Sequence, residues 1–190
     1  MEKPRTAQRS YCLRQTPYGP VAALWSIHQG RPKVLRVLIS RPGVTARRRL
    51  EALFPDFIAS SCDEVDLVAD GILAFLNRED ISFSLDIARM DLCSPFQERV
   101  LRAEHGIPRG RVTTYRRIAR HIGSASAARA VGTALANNPF TIMIPCHRAV
   151  RSDGALGGYQ GGLQMKRSLL EMEGVSFSAS GHVVTEEFFY

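Results

Sequence analysis

The sequence predicts a mixed α+β chain with an N-terminal α/β part over residues 1–90 and a mostly helical part over residues 91–176. Alternating apolar residues near the N-terminus predict strands, whereas apolar residues at helical spacing later in the chain predict short helices. The length of 190 residues and the 45% hydrophobic content are typical of a globular chain of one or two domains. Residues 177–190 remain as a C-terminal tail, either a terminal strand or a flexible end.

A β-hairpin and a third strand are predicted first. Residues 11–15 and 21–27 flank the turn-forming sequence TPYGP, and residues 34–40 alternate between apolar and polar before Pro42. Apolar side chains then recur at helical spacing over residues 65–76, which predicts one amphipathic helix. We find no chemical motif in this half of the chain.

Four helices are predicted in the second half. Ser94 begins an S-x-x-Q capping box with proline at the first helical position. Further helices are expected over residues 114–122, about 126–137 and about 163–173. The helices predicted over residues 114–122 and about 126–137 are joined by a glycine-containing turn and form a helix-turn-helix candidate, although many helical hairpins share that pattern.

Positive charge is concentrated in the second half. The net charge is +7, yet ten arginines lie between Arg99 and Arg151 against one acid, Glu104, so that this window alone carries +9. A solvated basic face would explain the pattern. A polyanion-binding surface would explain it as well, because a cationic surface gains affinity by releasing the counterions of phosphates.

The third predicted helix of this half is made almost entirely of small residues, with Arg129 as its one long side chain. Such a helix could pack tightly against a neighbour. Alternatively, its smooth face could lie in the minor groove, which is only about 6 Å wide, with Arg129 entering the base stack.

The chain shows no targeting or membrane signal. Its N-terminus is charged, and no stretch approaches the roughly 18 apolar residues of a membrane span. We therefore expect a cytoplasmic protein, or a nuclear one in a eukaryote. Cys12, Cys62 and Cys93 are expected to be apolar core residues, since no cysteine or histidine spacing predicts a disulfide or a zinc site.

Cys146 stands apart because it lies in the sequence IPCHR, at the edge of an apolar run. It could be a buried thiol, a metal ligand or a nucleophile. A nucleophile needs a base, and His147 is adjacent, although neighbouring side chains on an extended segment point to opposite faces. A relay or a water is therefore expected between them, with Glu173 as the acid that orients His147.

Four segments together resemble the O6-alkylguanine-DNA alkyltransferases, also called methylated-DNA-protein-cysteine methyltransferases. These segments are RVTTYRRIA, AARAVGTALANNP, IPCHR and SDGALGGYQGGLQMKRSLLEMEG. They keep the order and spacing of the family over residues 96–174, whereas the first ninety residues fit its N-terminal domain in length and pattern only. The resemblance implies a ribonuclease H-like N-terminal domain and a winged-helix-like C-terminal domain with a helix-turn-helix.

The activity implied by this resemblance is direct reversal of DNA damage. Cys146 would take the alkyl group from guanine O6 in a flipped-out base and would remain a thioether, so that each molecule acts once. The O4-methyl group of thymine is a second candidate substrate. His147 would draw the thiol proton through a bound water, Glu173 would orient His147, and Asn138 would structure the turn before the site.

The resemblance also implies the residues that bind DNA in the minor groove. Tyr115 would donate its hydroxyl to guanine N3 and help to rotate the phosphate, and Arg129 would fill the vacated place in the stack. The positions that contact phosphates in the family correspond here to Gln97, Arg116, Ser124 and Ser152. We expect the base pocket to be shaped by Leu135, Ala149, Tyr159 and Gln160.

No cofactor and no metal is expected, since a thiolate and a phenol donor supply what carbon-oxygen cleavage at a methyl group requires. The partner would be double-stranded DNA containing O6-alkylguanine, bound by a monomer without a membrane. Two other classes remain as alternatives. One is a non-catalytic lesion-binding protein on the same scaffold, which would lack the cysteine, and the other is a cysteine hydrolase or a plain helix-turn-helix regulator.

Overall fold

The computed structural model describes residues 8–190, and the fold is mixed α+β as the sequence predicts. The chain forms two compact units. The first contains the described residues up to Met90 together with Pro139–Met143, and the second contains Asp91–Asn138 and Ile144–Tyr190.

A four-stranded sheet organises the first unit. Strands β1 (Arg9–Arg14), β2 (Val21–His28) and β3 (Arg31–Ile39) are joined as antiparallel hairpins, and β4 (Ile58–Ala59) runs parallel to β1. The strand order is β3-β2-β1-β4. The predicted hairpin and third strand are therefore confirmed.

Two helices complete this unit. Helix α2 (Asp63–Leu76) confirms the predicted amphipathic helix, whereas α1 (Ala46–Leu53) was not predicted. Alternation along β2 separates two apolar clusters: Ala23 and Trp25 pack with α2, and Ala22 and Leu24 pack with α1. Full burial of a side chain such as that of Leu24 contributes about 1.5–3 kcal/mol.

Helix α1 was not predicted, because its sequence, ARRRLEAL, is short and half of its residues are charged. Thr45 caps it by accepting a hydrogen bond from the Arg48 amide. Arg49 is nevertheless buried, because its Nη1 atom donates to the Ile39 carbonyl at 2.7 Å. The apolar residues Pro139–Met143 also belong to this unit, where the Val37 amide donates to the Pro139 carbonyl at 2.7 Å.

The second unit is mainly helical. Its helices are α3 (Pro95–His105), α4 (Tyr115–His121), α5 (Ala128–Ala136) and α6 (Leu163–Met172), which confirms the four predicted helices. Short parallel strands β5 (Thr113–Thr114) and β6 (Ala149–Val150) pair beside a 3-10 turn, Cys146–Arg148. Ser94 caps α3 as expected, since its hydroxyl accepts from the Gln97 amide at 3.2 Å.

The tail folds onto this unit. Strands β7 (Ser176–Phe177) and β8 (Val183–Val184) pair with each other, which agrees with the terminal-strand alternative. Beyond them, the Phe189 amide donates to the Val112 carbonyl at 2.8 Å, and the ring of Tyr190 stacks on His121 with centroids 3.7 Å apart. None of the helices in residues 8–190 is long and apolar enough to cross a bilayer.

Candidate active site

Cys146 lies in the 3-10 turn that follows Pro145, and its side chain is only 6% exposed. The Asn138 amide shapes the approach to this turn, because its Nδ2 atom donates to the Ile144 carbonyl at 3.0 Å. Burial raises the pKa of the Cys146 thiol to about 11, against the opposing effect of a hydrogen bond from the Asn138 side chain. The resting residue is therefore a thiol that needs help to ionise.

A histidine-carboxylate pair lies next to this thiol in sequence. His147 and Glu173 are both buried, and Nε2 of His147 lies 3.0 Å from Oε1 of Glu173. Burial lowers the pKa of His147 although Glu173 opposes that effect, so the imidazole is neutral. Because an ionised carboxylate can only accept, Nε2 carries the proton and Nδ1 is the basic nitrogen of the ring.

Arg148 was not predicted as part of the site, although it belongs to IPCHR. Its Nε and Nη2 atoms donate to the two carboxylate oxygens of Glu173 at 2.8 and 2.7 Å. Its Nη1 atom donates to the Ile107 carbonyl at 2.5 Å. Burial acts to raise the pKa of Glu173, but the hydrogen bonds from His147 and Arg148 outweigh it and hold the pKa at about 2.

A pocket of about 550 Å³ opens over Cys146. Its walls include the predicted residues Tyr115, Arg129, Leu135, Tyr159 and Gln160. The predicted pocket residue Ala149 lies outside this lining, because it is fully buried in strand β6 beside Thr113.

Tyr115 faces this pocket from the start of α4. Burial, followed by the negative charge of Glu104, raises the pKa of its phenol to about 12, so the group remains a proton donor. Gly157 lies against it with φ +66°, and a Cβ atom added there would be 2.6 Å from the Tyr115 hydroxyl. Glycine at this position therefore allows the loop to approach the phenol closely.

The loop that bears Gly157 is held by a buried lysine that the sequence did not single out. Lys166 on α6 is fully buried, and its Nζ atom donates to the carbonyls of Ala149 (2.6 Å), Leu156 (2.5 Å) and Gly158 (3.4 Å). Gln160 fixes the end of the same loop by donating to the Asn138 carbonyl at 2.8 Å. No feature of the local sequence distinguishes Lys166 from a solvated helix lysine.

The predicted DNA-contacting residues lie mainly on the surface. Arg116, Arg129 and Ser152 are exposed, and Ser124 is half-buried before α5. The inner side of α5 is packed through Val131, Ala134 and Leu135. Its outer side bears the exposed small residues Ala130, Thr133 and Ala136 beside Arg129.

Gln97 differs from the other predicted DNA-contacting residues. Its side-chain nitrogen donates to the carbonyls of Ala134 and Asn137, at 3.3 and 3.2 Å. Both donors of the amide are thus used within the protein, and a phosphate contact would require one of them to be released. Among residues 8–190 no group of three His, Cys, Asp or Glu side chains is placed to hold a metal ion.

Comparison with known families gives a match over the second half of the chain. Residues 95–175 match the family described as 6-O-methylguanine DNA methyltransferase, DNA binding domain. The methylated-DNA--protein-cysteine methyltransferase of Methanothermobacter thermautotrophicus is 46% identical over 107 residues, which cover 56% of this chain and 60% of that protein. The Mycobacterium leprae protein of the same name is 44% identical over 101 residues, which cover 53% of this chain and 59% of that protein. The chain therefore matches less than two thirds of the length of these relatives.

Solved structures match over most of the chain. The crystal structure of the Mycobacterium tuberculosis O6-methylguanine methyltransferase is 30% identical, with a TM-score of 0.68, and the match covers 87% of this chain and 93% of that one. The Mycobacterium tuberculosis OGT in complex with DNA is also 30% identical, with a TM-score of 0.67 over 86% of this chain and 92% of that one. The mixed α+β fold of this chain is thus shared across both units.

Proposed function

The chain belongs to the O6-methylguanine-DNA methyltransferase family, and on that premise we propose that it repairs DNA by taking the alkyl group of O6-alkylguanine onto its own Cys146. The observation that carries the proposal is the position of the thiol. Cys146 lines the pocket, and the next residue, His147, is paired with the buried carboxylate of Glu173. A nucleophilic thiol that lines a pocket, next in sequence to a histidine that can accept its proton, fits transfer of the alkyl group to the protein itself.

The thiol proton leaves first. Since Nε2 of His147 is committed to Glu173, Nδ1 takes the proton of Cys146 through a bound water. The ionised Glu173 stabilises the imidazolium that forms, and Arg148 holds the carboxylate in place. Asn138 adds a hydrogen bond to the sulfur that favours the thiolate.

The sulfur then attacks the alkyl carbon in line with the carbon-oxygen bond. A sulfur-carbon bond forms, the bond to O6 breaks, and its electron pair remains on guanine. Tyr115, which stays protonated because of its raised pKa, donates a hydrogen bond from its hydroxyl to N3 of the leaving guanine and so stabilises the negative charge left there. Cys146 is left as a thioether and cannot react again, so each molecule transfers one alkyl group. The O4-methyl group of thymine is proposed as a second substrate.

Access to the base requires extrusion from the duplex. Arg129 is exposed at the pocket, on the helix whose outer side bears small residues. We propose that α5 enters the minor groove, that Arg129 replaces the flipped base in the stack, and that Arg116, Ser124 and Ser152 contact phosphates. The protein would act as a monomer, in the cytoplasm or in the nucleus of a eukaryote. The ribonuclease H-like and winged-helix descriptions of the two units belong to the same proposal.

Intact-mass measurement tests this function. The protein is mixed with an excess of duplex containing O6-methylguanine, and we expect one methyl adduct that maps to Cys146. Cys146→Ser should give no adduct, and Cys62→Ser, the matched control at a partly buried cysteine, should react like the wild type. Turnover beyond one equivalent, or an adduct on another cysteine, would contradict the mechanism. Binding without any adduct would favour a lesion-binding protein instead.

A further inference from the structure

Residues 188–190, called the tail segment, are hydrogen-bonded to the chain at the start of helix α4. The Phe189 amide donates to the Val112 carbonyl at 2.8 Å, and the Phe189 carbonyl accepts from the Thr113 hydroxyl at 2.7 Å. Thr114, the next residue, caps α4 by accepting a hydrogen bond from a backbone amide in the first turn. The tail segment is therefore attached to the strand that leads directly into α4.

Arg117, in the first turn of α4, binds the same segment. Its Nη1 atom donates to the Phe188 carbonyl at 2.8 Å and also to the Tyr190 carbonyl. The guanidinium lies near the face of the Phe188 ring, with Cζ 5.9 Å from the ring centroid. Arg117 is half-buried, whereas its neighbour Arg116 is exposed. The two adjacent arginines thus face different surroundings.

Tyr190 fixes the tail segment to α3 and to the end of α4. Its hydroxyl donates to the Ala103 carbonyl at 2.8 Å, and its ring stacks on His121 with the centroids 3.7 Å apart. A Cβ atom added at Gly106 would lie 3.2 Å from the Tyr190 hydroxyl, so the chain approaches this hydroxyl closely. The tail segment therefore contacts α4 at both ends and connects it to α3.

These contacts bracket Tyr115, the residue whose phenol faces the pocket. Thr113 and Arg117 lie two residues before and two residues after Tyr115, and both bind the tail segment. The phenol shares the pocket with Cys146, and the loop at Gly157 leaves no room for a further methyl group beside the phenol hydroxyl. A shift of the start of α4 would therefore displace the phenol, and a displacement of about 1 Å can slow a reaction about hundredfold.

We propose that the tail segment positions the Tyr115 phenol at the pocket wall, and that Arg117 and Thr113 are the positioning residues through which it does so. This inference rests on the proposed function in giving Tyr115 a part in alkyl transfer. Neither the tail segment nor the two positioning residues line the pocket over Cys146, so they act through Tyr115 and not on the substrate.

A phosphate contact is the competing explanation for Arg117, because this arginine belongs to the basic window. Loss of an arginine that binds a phosphate lowers the slope of log K for DNA binding against log salt concentration by about 1 in magnitude. The carbonyls of the tail segment already occupy Nη1 of Arg117. We therefore expect Arg117→Ala to leave the salt slope unchanged, whereas Arg116→Ala should lower it.

The test is single-turnover methyl transfer at saturating concentrations of a duplex containing O6-methylguanine. Arg117→Ala should slow transfer by about tenfold or more in the presence of Tyr115 and by no more than about twofold in a Tyr115→Phe background, because only the first protein has a phenol hydroxyl to misplace. Arg120→Ala is the matched control, since Arg120 is exposed on the same helix, and it should react like the wild type. Equal slowing in both backgrounds would overturn the inference, as would a lower salt slope for Arg117→Ala with an unchanged rate of transfer.

Two further variants test the segment without a loss of charge. Thr113→Val removes the bond to Phe189 with little change in shape, and removal of residues 188–190 abolishes all contacts of the segment. Both should slow transfer, the removal at least as much as Arg117→Ala, and both effects should disappear in the Tyr115→Phe background. Circular dichroism checks the fold of each variant, and Thr113→Val carries the comparison if Arg117→Ala does not fold. Full transfer rates after removal of residues 188–190 would contradict the inference.

A measurement without DNA separates this inference from the proposed function. A fluorinated tyrosine is placed in the position of Tyr115, and its fluorine resonance reports the surroundings of the phenol in the free protein. Arg117→Ala should shift or broaden this resonance, and Arg120→Ala should not. A changed resonance with no methyl transfer by any variant would sink the proposed function and leave the positioning of Tyr115 standing. An unchanged resonance with normal methyl transfer would overturn the inference and leave the proposed function standing.

Discussion

Nε2 of His147 lies 3.0 Å from Oε1 of Glu173, and neither side chain is exposed to solvent. The same carboxylate accepts two hydrogen bonds from Arg148. Glu173 therefore fixes the tautomer of the histidine and compensates a buried guanidinium at the same time. We therefore expect both the proposed alkyl transfer and the stability of the protein to depend on Glu173.

Glu173→Gln should consequently impair both the stability of the protein and alkyl transfer to Cys146. Removal of one partner of a buried ion pair costs about 3–5 kcal/mol, because the remaining charge is left uncompensated. Transfer to Cys146 should slow by at least about tenfold, since general-base assistance is worth two orders of magnitude or more. Thermal unfolding and single-turnover kinetics measure the two effects. Glu171→Gln is the control: Glu171 forms an exposed pair with Arg167 on the same helix and should cost less than about 1 kcal/mol. Equal behaviour of the two variants would refute the role of Glu173.

The pair of His147 and Glu173 also predicts that the protein loses stability as the pH falls. The pKa of Glu173 falls from 4.5 to about 2 on folding. A carboxyl group with a lowered folded-state pKa stabilises the protein fully above its unfolded pKa, and the contribution disappears as the pH falls towards the folded value. The wild type should therefore exceed Glu173→Gln by a constant free energy of unfolding at neutral pH, and the difference should shrink by about 3 kcal/mol below pH 4.5. Urea titrations at several pH values provide the measurement, and a difference that grows in acid would contradict the assignment.

Local sequence signals predicted much of this architecture. Strands β1 to β3, helix α2 and the four helices of the second unit follow from periodicity and from caps such as Ser94, which are properties of neighbouring residues. Helix α1 was missed because half of its residues are charged, and one of these, Arg49, is buried only through a hydrogen bond to the Ile39 carbonyl, which lies on another element. Local pattern predicts a helix only where the apolar residues themselves mark the buried side.

In the candidate site, too, local sequence predicts some residues, whereas others become apparent only through tertiary packing. Cys146, His147 and Glu173 are predicted from an unusual cysteine and from the resemblance, and the structure brings the latter two together. Glu104 and Lys166 were not predicted, because each looks like a solvated residue of an amphipathic helix until other segments cover it. Whether a charge is buried is decided by tertiary packing, which sequence spacing does not reveal.

Gly157→Ala should disturb the pocket through Tyr115. The new Cβ atom would lie 2.6 Å from the phenol oxygen, and the φ angle of +66° disfavours any side chain at this position. Strain of this type costs about 1–2 kcal/mol, and displacement of the phenol should slow alkyl transfer by about tenfold or more. The neighbouring Gly158→Ala is a matched control, because nothing lies within 4 Å of its added Cβ atom. Single-turnover rates of the two variants should differ clearly, and similar rates would argue against the close contact.

Arg129→Ala should separate extrusion of the base from chemistry. Repair of a duplex containing O6-methylguanine should slow by about tenfold or more, because partial unstacking of a base pair costs a few kcal/mol that the inserted side chain offsets. Transfer from free O6-methylguanine base should be nearly unchanged. Arg120→Ala, at another exposed arginine of the basic window, is the control and should weaken binding only modestly. Equal slowing on duplex and free base would show that Arg129 acts in the pocket rather than in the stack.

Removal of the Glu104 carboxyl should stabilise the protein in alkaline solution. The pKa of this group rises from 4.5 to about 8 on folding, so the folded state retains a proton that the unfolded chain releases. The free energy of unfolding therefore falls as the pH rises between these two values, and the penalty is complete above the folded value. Lys166 titrates in the opposite sense above pH 8, since its own pKa is lowered to about 8 by burial, so the comparison must be made between variants at one pH.

Glu104→Gln should raise the melting temperature by several degrees near pH 8 and by much less near pH 5. A gain of about 1 kcal/mol corresponds to roughly 2–4 °C in a chain of this size. Glu98→Gln on the same helix should show no such trend. A stabilisation that is independent of pH would indicate better packing rather than the removal of a buried charge.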